Sequence, residues 1–304
     1  MSLRYDVVDV FTDRAYAGNP LAVVHGGTDL DAAQMQAIAA EFGLSETVFP
    51  LPPTAAEADY RLRIFTPARE LPFAGHPSVG AAWVLARDRV IDTGEVVQEC
   101  GAGLLPVTVD PYGAQVTGGP PELGPDLDGA ALAGALGLAA ADLDPALPAG
   151  VAAAGVPFAF LPVRPDAVAR AVPDPPALRR LSSGLVGVAV FAFARPDWHA
   201  HLRMFAPEVG VVEDPATGSA AVALGVFLTA RGLLAADGQS GFTVAQGAEI
   251  GRPSRLGVLV HAAGGAAVRT AVYGTVAAVA RGELIALPDP ELPGSATDEP
   301  GSAG

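Results

Sequence analysis

Short apolar runs bounded by Gly, Pro, Asp or Asn dominate this chain, the pattern of strands rather than of long helices. They are Tyr5–Phe11, Leu21–His25, Thr47–Pro50, Tyr60–Phe65, Val96–Glu99 and Pro106–Val109 in the first half. The second half adds Phe158–Val163, Val186–Phe193, His201–Phe205, Phe242–Gln246, Gly257–His261, Val268–Tyr273, Thr275–Ala280 and Glu283–Leu287. Helical stretches are few. Asp31–Phe42 places Ala33, Met35, Ile38, Ala39 and Phe42 on one face, with Asp29 or Asp31 as cap. Ser78–Asp88 and Thr217–Ala230 read as apolar helices, and Asp128–Leu136 as a short Ala-rich one. Many strands with two central helices predict an α+β fold. From Pro288 the chain turns rich in Pro, Gly, Ser and acid, so residues 289–304 are expected to be a disordered tail.

The chain also repeats itself. RIFTP at 63–67 matches RMFAP at 203–207, HPSVGAA at 76–82 matches DPATGSA at 214–220, and GNPLAVV at 18–24 matches GVPFAFL at 155–161. Three matches in order, with offsets near 138, indicate a duplicated unit of about 140 residues. The expected division is 1–118 and 119–274, with strands at about 275–288 returning to the first domain.

Composition narrows the classes. Eighteen basic residues, all Arg, stand against 33 acidic ones, for a net charge of -15. That balance argues against nucleic acid or an anionic membrane as partner. The single cysteine, Cys100, excludes an internal disulfide framework or a cysteine-rich zinc site, and fits a cytoplasmic protein. The N-terminus is too polar for a signal peptide, and the apolar stretch around 214–230 is closed by Arg231. His199 and His201 lack further ligands and read as structural, so no metal is expected. No Gly-x-Gly-x-x-Gly follows a strand, which discounts a dinucleotide-dependent oxidoreductase.

The repeat indicates where chemistry sits, because clefts between domains are common sites. In each half an Arg-x-Phe-x-Pro strand leads to a helix start, expected near Pro77–Gly80 and Pro215–Gly218. Two helix N-termini facing one cleft favour a carboxylate. His76 and Asp214, matched by the repeat, flank those starts and are candidate catalytic residues. Ser219 is a candidate substrate contact. Glu213 beside Asp214 reads either as a member of the site or as a solvated or Arg-paired acid.

The blocks VDVFTDRAYAGNPLAVV (8–24), SETVF (45–49), RIFTPARELPFAGHPSVGAA (63–82), RMFAPEVGVVEDPATGSAAVALG (203–225) and QGAEIGRPSRL (246–256) resemble the PhzF-like family of phenazine biosynthesis. The resemblance runs to about residue 287. It implies the diaminopimelate epimerase-like fold: two pseudo-symmetric domains, each a barrel-like mixed β-sheet around a central helix. It also implies a homodimer, an isomerase working without a cofactor, and Glu46 as acid/base catalyst. His76 and Asp214 would line the site, while Asn19, Gly75, Gly218 and Ser219 would bind a small carboxylate-bearing, possibly cyclic amino acid substrate. Ser78 stands where Thr is more usual, and Ala221-Val222 where a His-Gly pair is common.

Glu46 begins an apolar strand between Leu44 and Val48, where partial burial raises a carboxyl pKa. Related racemases use two opposed bases, commonly cysteines. Here the repeat places Val188 opposite Glu46, so a single carboxyl moving a proton on one face is expected. The alternatives are an epimerase or racemase, with Glu46 or Asp214 on one face of the substrate and His76 on the other, and a binding protein that kept the fold. Deletion of residues 289–304 is expected to leave the melting temperature unchanged. A drop of several degrees on thermal unfolding would show that this segment packs on the fold.

Overall fold

The computed structural model describes residues 2–290. Met1 and residues 291–304, most of the expected tail, lie outside the described residues. The first half comprises β1 (Leu3–Val10), β2 (Asn19–Val24), α1 (Ala32–Phe42), β3 (Glu46–Leu51), β4 (Tyr60–Phe65) and β5 (Glu70–Leu71). It continues with α2 (Gly75–Arg87), β6 (Gly94–Cys100), β7 (Gly103–Val109) and β8 (Gly113–Thr117). The second half comprises β9 (Pro121–Asp126), α3 (Gly129–Ala135), β10 (Gly150–Ala154), β11 (Pro157–Pro162), α4 (Pro165–Val168), α5 (Pro175–Leu181) and β12 (Val188–Ala194). Then follow β13 (His199–Ala206), β14 (Val211–Asp214), α6 (Gly218–Ala230), β15 (Gly238–Gln246), β16 (Ser254–Ala263) and β17 (Ala266–Leu284).

Strand pairing closes a ring of eight in the first half. The order is β1, β2, β3, β4, β6, β7, β8, β17 and back to β1, with β2–β3 and β4–β6 parallel and the rest antiparallel. The second half repeats seven of these eight pairings, beginning with β9–β10, antiparallel as β17–β1 is. β10–β11, β12–β13, β15–β16 and β16–β17 are antiparallel, and β11–β12 and β13–β15 are parallel. The short β5 and β14 hang antiparallel on β4 and β13. The mixed, barrel-like α+β architecture expected from the sequence is therefore present. β17 belongs to both rings: its first part pairs with β16 and its last part with β1.

Each ring is filled by one helix of 13 residues. α6 is buried along almost its whole length because its sequence, GSAAVALGVFLTA, is apolar on every side. α2 buries Gly75 through Ala82. The α1 helix packs outside the first ring, where Met35, Ile38 and Ala39 meet Phe49 and Phe65. Asp31 caps it, reciprocally with Gln34, and Gly43 ends it in the left-handed region at φ 60°. No helix among the described residues is long and apolar enough to cross a membrane.

The strand-like runs of the sequence fall in strands to within a few end residues, except that Glu283–Leu287 keeps only Glu283 and Leu284 in a strand; the last three runs merge into β17. Five strands, β5, β8, β9, β10 and β14, carried no readable pattern. They are two to six residues long and rich in Gly, Ala, Pro or acid, and neighbouring strands hold them in place. α2 starts at Gly75, earlier than Pro77, because Ala74 is the extended cap residue; His76 therefore sits within the first turn.

The halves are joined by Arg252. Its guanidinium meets the Asp9 carboxylate and donates to the carbonyls of Ala17 at 2.9 Å and Gly18 at 3.0 Å. Asp9 is 2% exposed, so removing its partner leaves a buried charge uncompensated. Arg252→Met is expected to cost about 3 kcal/mol in chemical denaturation. A loss below about 0.5 kcal/mol, the range of ordinary surface substitutions, would contradict this role.

Candidate active site

Glu46 opens β3, one residue after Ser45, and lies on the ring's inner side with Val48, toward the start of α2. Its Oε2 is 3.3 Å from His76 Nε2. Neither atom has a hydrogen-bond partner among the described residues, although both are buried. Burial first, and the charge of Asp214 second, push the Glu46 carboxyl up to about 8. Burial pushes the His76 imidazole down to about 3, against the pull of the Pro20 carbonyl that accepts a ring N–H. The contact is thus between a neutral acid and a neutral imidazole, with the Nε2 lone pair facing Glu46.

Asp214 ends β14 in the other half. Burial raises its carboxyl to about 6, while hydrogen bonds from Thr217 and Asn19 work in the opposite direction. The Asn19 amide donates to Asp214 Oδ1 at 3.0 Å and to the Ala216 carbonyl at 2.9 Å, and its own oxygen accepts from the Ser45 hydroxyl at 3.2 Å. The Thr217 hydroxyl donates to Asp214 Oδ2. Near pH 7 the cluster holds a protonated Glu46, a neutral His76 and an ionised Asp214.

The two helix starts touch. A Cβ on Gly75 would lie 3.5 Å from Gly218 Cα and from the Ser219 nitrogen. Neither start receives a side-chain cap from its own N-cap residue, and two positive helix ends facing each other favour an anion between them. The site is closed: the side chains of Glu46 and His76 keep only 15% and 7% of their surface.

The structure brings together Asn19, Glu46, Gly75, His76, Asp214, Gly218 and Ser219, the candidates read from the sequence. It changes how they correspond. α2 and α6 begin at Gly75 and Gly218, so His76 matches Ser219. Asp214 matches Leu71, since Ile64 pairs with Leu71 as Met204 pairs with Asp214. His76 and Asp214 are therefore not counterparts. The true second match is ELPFAGH at 70–76 with EDPATGS at 213–219, legible in the sequence but hidden by aligning His-Pro with Asp-Pro.

A one-residue correction applies to Glu46 as well. Ala22 pairs with Thr47 as Ala159 pairs with Val188, so Glu46 matches Gly187 rather than Val188. A Cβ at Gly187 would stand 2.5 Å from the Phe205 carbonyl oxygen, so no side chain fits there. Asn19 likewise matches Val156 by the GNP and GVP triplets.

Glu213 is an Arg-paired acid. Arg203 grips it through two bonds of 2.8 and 2.7 Å, as Arg63 grips Glu70 at 2.7 and 2.6 Å. These twin clamps hold the loops that lead into the two helix starts. Sequence reasoning missed Ser45, Thr217 and Gln246 as members of the cluster; their only signal was position within the quoted blocks.

Other groups are engaged elsewhere. His201 pairs with Glu249 at 2.8 Å and His199 with the Thr243 hydroxyl at 3.0 Å. Asp6, His25 and Asp88 cluster closely enough to hold a cation, but Arg4, Arg87 and Arg281 already neutralise the carboxylates. A cavity of about 760 Å³, lined by Arg14, Tyr112, Arg255 and Tyr273, contains none of the seven site residues.

A sequence profile of the phenazine biosynthesis-like proteins (PhzC-PhzF) matches residues 8–282. The chain belongs to this family. It is 37% identical to an uncharacterised isomerase of Mesorhizobium japonicum, over 92% of this chain and 98% of that one. It is also 37% identical to the trans-2,3-dihydro-3-hydroxyanthranilate isomerase of Pseudomonas aeruginosa, over the same shares of both chains. The crystal structure of a PhzF-family phenazine biosynthesis protein from Bacillus anthracis superposes with a TM-score of 0.86 at 26% identity, covering 94% of this chain and all of that one. Together these make the chain a PhzF-like isomerase.

Burying Glu46 has a stability cost with a defined sign. The folded carboxyl keeps its proton up to about 8, whereas the ordinary value is 4.5. The folded state binds more protons between those values, so its stability falls as pH rises through that window. Glu46→Gln, which cannot ionise, is expected to melt increasingly above the wild type from pH 5 to pH 8. Equal melting temperatures across that range would contradict the burial argument.

Proposed function

We propose that this chain moves one hydrogen along a conjugated or carboxylate-activated substrate, with Glu46 as the only proton carrier. The observation that carries the reading is the Glu46 carboxyl itself. It is buried, raised to about 8, and has an unpartnered Oε2, while its counterpart position is a glycine with no room for a side chain. The protonated carboxyl delivers its proton to one end of the conjugated system. The carboxylate so formed then removes a proton from a second carbon on the same face. The C–H bond made balances the C–H bond broken, and the enzyme returns to its starting form.

The other groups support this order. His76 stands 3.3 Å from Glu46, beside it rather than across a substrate carbon, which disfavours the pair as opposed bases of a racemase. Asp214, ionised above about 6, offers an acceptor to a substrate N–H or O–H. The converging helix starts offer backbone N–H groups to a substrate carboxylate. A small cyclic amino acid fits this set. The compound named for the Pseudomonas aeruginosa relative, a ring bearing a carboxylate and an amine, is the first to assay.

Two results are expected. Glu46→Gln, still folded, should lose about 100- to 10,000-fold in turnover. The kcat/KM profile of the wild type should rise through about pH 6 with Asp214 and fall through about pH 8 with Glu46. Retained turnover in Glu46→Gln, or loss of optical activity at an unmoved stereocentre in deuterated water, would overturn the single-carrier reading.

A further inference from the structure

Gln246 is the last residue of β15, 2% exposed, and makes three hydrogen bonds, one to the end of β14 and two to Thr217, the N-cap of α6. Its amide oxygen accepts the Thr217 backbone N–H at 3.1 Å. Its amide nitrogen donates to the Asp214 backbone carbonyl at 2.8 Å and to Thr217 Oγ1 at 3.0 Å. Both amide protons are thereby used. Thr217 Oγ1 already accepts a proton from Gln246, so its own proton is directed to Asp214 Oδ2. We infer that Gln246 is a positioning residue that aims the Thr217 hydroxyl at Asp214 and so fixes that carboxylate in the site.

The comparison between halves supports a task specific to this site. The pair Arg61–Glu99 matches the pair His201–Ala245, which places Cys100 where the second half has Gln246. The matched helix starts place Ala74 where it has Thr217, and the strand registers place Leu71 where it has Asp214. The glutamine, the hydroxyl and the carboxylate occur together in one half and are replaced together in the other. A residue needed only to hold the barrel to its helix would have no reason to follow the carboxylate.

The groups facing Asp214 are few. Asn19 donates to Oδ1 from β2, and Glu46 faces it from β3 with His76 of α2 behind. The adjoining Glu213 is neutralised by Arg203. The Thr217 O–H is therefore the donor that Gln246 controls, and it favours the ionised form of Asp214. The inference rests on the reading of Glu46 and Asp214 as one site, but its test needs no substrate.

The test is a carboxyl titration by 13C NMR on protein labelled at aspartate Cγ, with the Asp214 resonance assigned by its loss in Asp214→Asn. Gln246→Met and Thr217→Val should each raise the Asp214 midpoint by about one pH unit, the scale of losing one donor to a carboxylate. Thr217→Ser should keep the wild-type midpoint. The Gln246→Met/Thr217→Val double variant should titrate like either single one, because both act through the same proton. Should Gln246→Met not fold, Gln246→Leu, which also removes the amide donor, takes its place in the comparison. A lowered melting temperature with an unchanged Asp214 midpoint in Gln246→Met would overturn the inference and leave Gln246 a scaffold residue; so would an unchanged midpoint in Thr217→Val. A raised midpoint together with full turnover in Glu46→Gln would instead sink the proposed function alone.

Discussion

Three ionisable groups share one water-poor space where the two halves meet, and they cannot all carry charge. Desolvation raises Glu46 and Asp214 and lowers His76, and the negative charge of Asp214 adds to the rise at Glu46. Asp214 can stay ionised because Asn19 and Thr217 donate to it. Glu46 has no donor at Oε2 and so keeps its proton. Burial is the largest cause at both carboxyls; they differ because Asp214 receives two donors and its charge acts on Glu46. The rest of the structure is arranged to hold that difference: two rings that exclude water, two helix starts in contact, and two Arg–Glu clamps on the loops leading into them.

The duplication builds the frame but not the chemistry. Strand order, parallel pairs, clamps and helix starts recur in both halves. The reactive groups do not: Glu46 faces a glycine counterpart, Asp214 a leucine, Asn19 a valine, and His76 a serine. A symmetric frame with an asymmetric lining suits a reaction in which one group both gives and takes the proton. Two opposed bases would ask for equivalent positions filled on both sides, and the crowding at Gly187 closes that option at the Glu46 position. The unequal lining is also tolerated structurally, because the clamps hold each loop independently of what lines the cleft.

Much of this was legible in the sequence. Strong strands such as Tyr60–Phe65 declare themselves through β-branched and aromatic residues, and α6 through an apolar run with a clear end. The repeat located both helix starts, and the SETVF and EDPATGS blocks located Glu46 and Asp214. What failed had physical causes. Strands such as β9, with the sequence PELGPD, are defined by their neighbours and not by their own propensity. The offset between halves drifts from about 137 at the first block to 143 at the helix starts, because loops of unequal length intervene. Local matches taken one at a time therefore paired His76 with Asp214 at an offset of 138 and Glu46 with Val188 at 142, each out of step with the strand registers. Gln246 and Thr217 were out of reach, since a buried glutamine is recognised by its partners and those are distant in sequence.

The central claim is that Glu46 is a neutral acid at pH 7 beside an ionised Asp214. The most direct measurement is the infrared difference spectrum of wild type minus Glu46→Gln, recorded in the carboxyl region across pH 5 to pH 10. The account predicts a protonated carboxylic acid C=O band at pH 7, replaced by a carboxylate band with a midpoint near pH 8. A carboxylate band already complete at pH 6 would contradict it.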